Sequence, residues 1–404
     1  MTQPRTVASQ DEVRRHNLGR LLRLVHVEGA LLRSELTART GLNRSTVKAL
    51  TADLVAAGLV RESASAGRGI AGRPSIEVEP ESERNYVLAL DIGAEHLTAV
   101  RVGLGGVVLG RAALTQSAAD YGVQRTVRRL RTLALRLLDE APAGSRCVGI
   151  GVGVCGVVSS TDGVVRLAPN LGWVDVPLRR LLTAALPVRL PMVFGNDGDL
   201  GARAEHLRGA GRGLADLVFL SGEVGIGGGI ILGGRPMAGA GGYGGEIGHM
   251  SIDPRGRHCR CGRRGCWETE IGHEGVLAAT GAPAGATLAD VLAAYAAGEQ
   301  WPRAGMRRVG RAMGTGVVNL VNLFNPELIV FGGTSRLLFT AVEPMVREQL
   351  GQALDAAREQ VRLELPELRD DAVAIGAAEL AFAPLIDDPL TTLLTLAPEV
   401  EASA

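Results

Sequence analysis

The sequence predicts an α/β body behind a small helical head that ends in a β-hairpin wing. Three observations predict it. With 404 residues and 46% apolar side chains, the chain exceeds the size at which one hydrophobic core keeps growing, so two or three domains are expected. Residues 12–76 carry eleven Lys/Arg against five Asp/Glu, although the whole chain has no net charge; a basic unit is therefore set apart from the rest. From Tyr86 onward, short β-branched runs bounded by glycine alternate with stretches of helical spacing, the pattern of buried strands in an α/β sheet.

In the head, "RSELTARTGLNRSTVKALTADLVAAGLV" reads as two helices around a tight turn at Gly41 and Leu42. Ser34 and Asn43 stand where an N-cap oxygen accepts from free backbone N–H groups. Val47, Leu50 and Leu54 fall on one face of the second helix, which leaves Arg44, Ser45, Thr46 and Lys48 pointing outward near its N-terminus. A recognition helix reads base edges from that position. Downstream, "GLVRES" and "GRGIAGRPSIEVE" read as the wing, with Arg68 and Arg73 available for phosphates or the minor groove. The plain alternative is a helical hairpin with a solvated basic face. The turn, caps, spacing, wing and local charge together point to double-stranded DNA.

The body contributes "YVLALDIG", "HLTAVRVG", "GVVLGRAAL", "CVGIGVGVCGVV", "LVFLSG", "GIGGGIILGG" and "ELIVFGG" as strands, with helical spacing over Thr126–Leu138 and Val309–Leu323. Two glycine-ended strand motifs, Asp91–Gly93 and Gly225–Gly229, fall in what read as two halves of one α/β body. There is neither an apolar run of membrane-spanning length nor an apolar leader in "MTQPRTVASQDEVRRHN", so the expectation is a cytoplasmic protein with no membrane partner.

Three of the five cysteines are crowded into "HMSIDPRGRHCRCGRRGCWE", His249–Glu268. Thiolate sulfur with imidazole selects zinc in a tetrahedral site, and His249, Cys259, Cys261 and Cys266 supply four ligands. With every position filled by protein, the Zn2+ would be structural, and no catalytic residue is assigned. The alternatives are reduced thiols in a surface loop or a catalytic Cys–His pair. Nearby, "APNLGW", "FGNDGDLGARAEH" and "GAGGYGGEIGH" each place amides or carboxylates after an apolar run. Asn170, Asn196, Asp197, Glu246, His249 and Glu268 together could hydrogen-bond the hydroxyls of a sugar or polyol.

"GGEIGH" followed by "CRCGRRGCWE", with "APNLGW", "GND" and "NPELIVFGG", resembles the ROK family of sugar kinases and sugar-responsive repressors. The likeness runs from about Val87 to Ile375, and the winged helix-turn-helix ahead of it resembles the repressor branch. The resemblance implies an actin-like (ribonuclease H-like), two-lobed body of sugar-kinase type with sugar in the cleft. The implied units are a winged helix-turn-helix over 12–80, a first lobe over 85–195 plus 376–404, and a second lobe with the zinc loop over 196–375. It also implies that Asn170, Asn196, Asp197, Glu246, His249 and Glu268 contact sugar hydroxyls, with His249 serving zinc and ligand from opposite sides of its ring. The aspartate matching Asp197 is the general base in family kinases.

The two phosphate loops depart from the kinase pattern. "DIGAEH" has Ala94 and Glu95 in place of a glycine and a threonine, and "EVGIGGG" has Glu223 and Val224 in the first two places. An acid repels a polyphosphate and a valine donates no hydrogen bond to it. The leading expectation is a non-enzymatic repressor, a homodimer or homotetramer, that binds an operator under control of a sugar or sugar derivative. The alternative is an ATP-dependent sugar kinase with an added DNA-binding domain.

Overall fold

The computed structural model describes residues 9–64, 75–187 and 189–396. Two five-stranded sheets with the same strand order form the body. In the first, Asn85–Ile92, His96–Gly103 and Val108–Thr115 form an antiparallel meander, and Arg146–Val154 and then Met192–Asn196 add in parallel on the other side. In the second, Leu217–Gly222, Ile226–Leu232 and Arg235–Pro236 form the meander, and Leu328–Gly333 and Arg362–Glu364 add in parallel. The duplication is one of topology, since the side chains filling the two meanders differ.

Two helices lie between the sheets, and each crosses over. Asp197–Arg208 leaves the last strand of the first sheet and packs on the second sheet, whereas Ala372–Asp387 follows the last strand of the second sheet and packs on the first. Their mutual contact is close because Gly376 has no side chain: a β-carbon there would collide with the Leu200 carbonyl. Helices His273–Thr280, Leu288–Ala296, Arg303–Phe324 and Thr334–Leu350 belong to the second lobe and share a separate core around Met306, Met313, Val317 and Phe331.

The head is built from helices Gln10–Glu28, Arg33–Thr40 and Arg44–Ala56 with a small sheet in which Ile76–Pro80 lies between Leu31–Leu32 and Val60–Ala64. Gly41 ends the second helix in a left-handed conformation (φ 70°), the turn anticipated at that residue. Asn43 caps the third, its Oδ1 accepting from the Thr46 N–H at 2.8 Å, a cap worth about 1 kcal/mol. Val47, Leu50 and Leu54 are buried, each contributing about 1.5–3 kcal/mol through removal from water.

Ser34 does not cap the second helix. That helix begins one residue earlier, at Arg33, and Glu35 accepts from the Leu32 N–H at 2.7 Å. The cap position therefore falls at Leu32, and Ser34 lies inside the first turn, where its hydroxyl is not placed to cap.

Head and body share one core. Leu18, Leu21, Leu22 and Val25 of the first helix pack in a single apolar cluster with Ala378, Phe382, Leu385 and Ile386. Within it His26, fully buried, accepts from the Gly105 N–H at Nδ1 (3.0 Å) and turns Nε2 toward Glu379 at 3.0 Å. Arg208 completes the cluster, donating to Glu379, to the Gly105 carbonyl (2.8 Å) and to the His26 carbonyl (3.1 Å). Burial alone would raise the Glu379 carboxyl, but His26 and Arg208 hold it down at about 2.

Candidate ligand cleft, metal cluster and DNA-binding face

The four residues singled out as metal ligands come together: one donor atom each from His249, Cys259, Cys261 and Cys266 lies within 4.8 Å of the others. Cys261 Sγ and Cys266 Sγ are 3.7 Å apart, and Cys259 Sγ is 3.7 Å from His249 Nδ1. Bonds of about 2.3 Å to sulfur at a tetrahedral angle need about 3.8 Å between sulfurs, so the spacing suits such an ion. The loop achieves this by folding on itself. Bridges at Ser251–Cys266 and His258–Arg264 close it, and Gly262 (φ 88°) and Gly265 (φ 66°) make the reversals that residues with a β-carbon resist. Trp267, fully buried, donates from Nε1 to the Ala312 carbonyl at 2.8 Å and so anchors Cys266 and Glu268 to the long helix Arg303–Phe324.

Beside this cluster lies a cavity of about 160 Å³ between the lobes, lined by Asn170, Asn196, Asp197, Glu246, His249 and Glu268 among others. All six residues named from the sequence are therefore gathered at one cavity, although they come from the turn at Asn170, the junction of strand Met192–Asn196 with helix Asp197–Arg208, the loop at Glu246 and the two ends of the metal loop. His249 presents Nδ1 to the cysteines and Nε2 to the side of Glu246 (4.0 Å). Asn196 is already engaged: its Oδ1 caps helix Asp197–Arg208, accepting from Gly198 N–H (2.8 Å) and Asp199 N–H (3.4 Å), and its Nδ2 donates to the Gly156 carbonyl (3.0 Å). Asp197 accepts from Ser221 Oγ at 3.2 Å. Loss of water around it, with Glu223 and Asp91 nearby, pushes its carboxyl up to about 7.

A second chamber of about 340 Å³ adjoins the first and shares Asp197, Ser221 and Glu223 with it. Here the two glycine loops meet. His96 donates to Asp91 Oδ2 at 2.8 Å and to Glu223 Oε1 at 2.7 Å, and the Ala94 N–H donates to Glu223 Oε2 at 2.7 Å. Burial would lower the His96 pKa, but the hydrogen bonds and charges of Asp91 and Glu223 raise it to about 11, so the ring is a cation. Gly93 is the residue that permits the approach, since a β-carbon there would run into Glu223 and His96. Glu95 stands differently from Glu223: its half-exposed side chain lies at the rim, 3.8 Å from His273 Nδ1.

On the head, Arg44, Ser45 and Lys48 are exposed and Thr46 is half-buried. Arg44 and Lys48 line a groove with Arg33, Ser34, Thr37, Ser75 and Ile76. Most other basic residues of the head are already paired, Arg14 with Asp53, Arg33 with Glu62, Arg39 with Glu28 and Arg61 with Glu79. Among the described residues Arg44 and Lys48 have no ion-pair partner. Arg68 and Arg73 lie outside the described residues.

Residues 87–383 match the ROK family. The chain belongs to the ROK family. This ROK protein is 28% identical over 375 residues to the xylose repressor of Caldicellulosiruptor bescii, covering 88% of this chain and 93% of that protein. To a glucokinase of Halalkalibacterium halodurans it is 30% identical over 317 residues, covering 74% of this chain and 95% of that one. In structure it is similar to a ROK family transcriptional regulator, a homologue of the E. coli MLC protein, with TM-score 0.78 and 26% identity over 95% of this chain and 99% of that one. It is also similar to a ROK family glucokinase from Streptomyces griseus in complex with glucose and AMPPNP, with TM-score 0.63 and 25% identity over 73% and 99%. The regulator is matched over nearly the whole ROK chain, the kinases over about three-quarters of it. The two-lobed sugar-kinase-type body behind a winged helix-turn-helix is thus the architecture of the ROK regulators. Among the described residues no helix of this ROK protein is long and apolar enough to cross a membrane.

Sequence reasoning missed His96, Ser221 and the Arg208–His26–Glu379 cluster. His96 stood in plain view in "DIGAEH", where a cation beside two acids was the available signal. Arg208 and Glu379 are 171 residues apart, and nothing local marks them.

Proposed function

We propose that this chain is a transcriptional repressor whose operator affinity is set by a sugar bound in the inter-lobe cavity. One observation carries the reading. Helix Asp197–Arg208 begins at the cavity with Asn196 and Asp197 and ends at Arg208, which donates to Glu379 and to the carbonyl of His26 in the first helix of the head. Twelve residues at 1.5 Å per residue span about 18 Å, so ligand and head are joined by one rigid element. A sugar that binds one lobe arrangement better than the other shifts the population of head positions by that difference in affinity. In a homodimer or homotetramer, two recognition helices must match half-sites about one helical turn apart, so a small displacement is enough to weaken binding. The units 12–80, 85–195 with 376–404, and 196–375 are proposed as the head and the two lobes.

In this reading Arg44, Ser45, Thr46 and Lys48 meet the DNA, with Arg68 and Arg73 on the wing. Asn170, Asn196, Asp197, Glu246, His249 and Glu268 hold the sugar. His249, Cys259, Cys261 and Cys266 would hold Zn2+, a structural ion that fixes the distance between His249 and Glu268. Names of relatives make D-xylose and D-glucose the first sugars to test. The experiment is a fluorescence-anisotropy titration of operator DNA with the full chain across a sugar panel. Release by at least one sugar supports the reading, and operator binding indifferent to every sugar that raises the melting temperature would sink it.

Asp197, with its carboxyl near 7, suits a general base, and this favours a second reading as an ATP-dependent sugar kinase. The Glu223–His96–Asp91 contact across the phosphate loops weighs against it. ATP turnover lost in Asp197→Asn would establish the kinase instead.

A further inference from the structure

The cavity has an unusual balance of charge. Asp197, Glu223, Glu246 and Glu268 all line it, and neither lysine nor arginine does. A phosphate or carboxylate on a ligand is ordinarily met by guanidinium, ammonium or free backbone N–H groups. Here four nearby backbone donors are taken by the protein's own side-chain oxygens. Glu223 Oε2 accepts from Ala94 N–H (2.7 Å), Asn196 Oδ1 from Gly198 N–H and Asp199 N–H (2.8 and 3.4 Å), and Glu268 Oε2 from Ile226 N–H (3.4 Å). Of the four carboxylates, Glu223 and Asp197 also face the larger chamber.

Glu223 is held more firmly than a rim acid. Its two oxygens are committed to His96 Nδ1 and Ala94 N–H, and His96 is itself tied to Asp91. His96 compensates Asp91 and Glu223 together, so the local sum remains negative. The larger chamber is also lined by Arg111, Arg336 and Arg369, the first two paired with Asp371 and Asp370, so it is at the boundary shared by the two chambers, and not throughout them, that an anion meets the fixed negative group of Glu223.

We propose that Glu223 is a specificity-determining residue, a charge gate between the two chambers that restricts the effector to uncharged, unphosphorylated sugars. The inference rests on the effector reading above, and it adds which chemical class of sugar acts. It also assigns the Glu223 carboxylate the place that an anionic group of a ligand would occupy.

The test is isothermal titration of the full chain with D-glucose, D-mannose and N-acetyl-D-glucosamine, each beside its 6-phosphate. D-xylose serves as a further neutral probe. At least one neutral sugar is expected to bind at least about tenfold more tightly than its phosphate in wild type, and Glu223→Gln should raise the ratio of phosphate to neutral affinity at least about tenfold. Ionic strength gives a readout that needs no variant: raising salt should improve phosphate-sugar binding relative to neutral-sugar binding, because it screens repulsion. A 6-phosphate that binds wild type as tightly as its neutral parent overturns the inference and leaves the effector reading standing. An unchanged ratio in Glu223→Gln, together with a salt-independent ratio in wild type, removes Glu223 from the role. Binding of no sugar at all, with the protein folded by circular dichroism, overturns the effector reading itself.

Discussion

At the scale of single residues, two side chains separate ligand binding from DNA binding. Asp197 has its folded pKa at about 7, above the usual 3.8. A raised carboxyl binds more protons in the folded state, so its contribution to stability is fully present below about pH 4 and is lost as pH rises through about 7. Asp197→Asn should therefore raise the melting temperature at pH 8 by a few degrees and change it little at pH 4, while weakening sugar affinity at least about tenfold. Thermal melts at the two pH values and a sugar titration check both. A melting temperature that fell equally at both pH values would contradict the account. Arg44 is exposed and unpaired among the described residues, so Arg44→Ala should cost about 1–3 kcal/mol of operator binding. Its sugar affinity should match wild type; the opposite pattern in the two titrations would displace the recognition helix.

At the scale of elements, the metal loop and the crossing helix do different work. The loop sets His249 and Glu268 at the cavity through a Cys3His cluster and the Trp267 anchor. Metal removal by a chelator, or Cys261→Ser, should abolish sugar-induced operator release while leaving operator affinity within about threefold. Loss of operator binding along with the sugar response would place the loop in the DNA interface. In the proposed reading the crossing helix Asp197–Arg208 carries the signal. Arg208→Met should leave Glu379 without its guanidinium partner and destabilise the chain by about 3 kcal/mol. In the folded fraction sugar binding should persist while operator release is blunted, which paired calorimetry and anisotropy would read. Release at wild-type amplitude in Arg208→Met would show that the signal takes another route.

At the scale of the whole molecule, the continuous core between head and body limits how the protein responds. Leu21, Leu22 and Val25 pack with Phe382 and Leu385 in one cluster, so the first head helix moves with helix Ala372–Asp387 rather than on a free tether. Light scattering should report a homodimer or homotetramer whose mass is unchanged by sugar, since the proposed response is a displacement of heads and not dissociation. A sugar-dependent halving of mass would replace displacement with disassembly.

The sequence by itself determined the chemistry and the order of parts. The helix Arg44–Ala56 was legible because its Asn43 cap, the glycine turn before it and its apolar spacing are local, and the Cys3His cluster because His249, Cys259, Cys261 and Cys266 lie within one short segment. The six cavity residues were legible through their motifs, yet their convergence was not, because it depends on strand Met192–Asn196, the second sheet and the metal loop meeting across a cleft. Glu223 was visible as a departure from a phosphate loop; its grip on His96 and Ala94 was not. Ser34 misled because a side chain that suits a cap does not say where the helix starts, and Glu35 served that turn instead. The Arg208–His26–Glu379 cluster, which joins pocket to head, was decided by tertiary structure alone. Its members are far apart in the chain and become partners only when two crossing helices and the first head helix bury them together, where an unpaired charge would be too costly to keep.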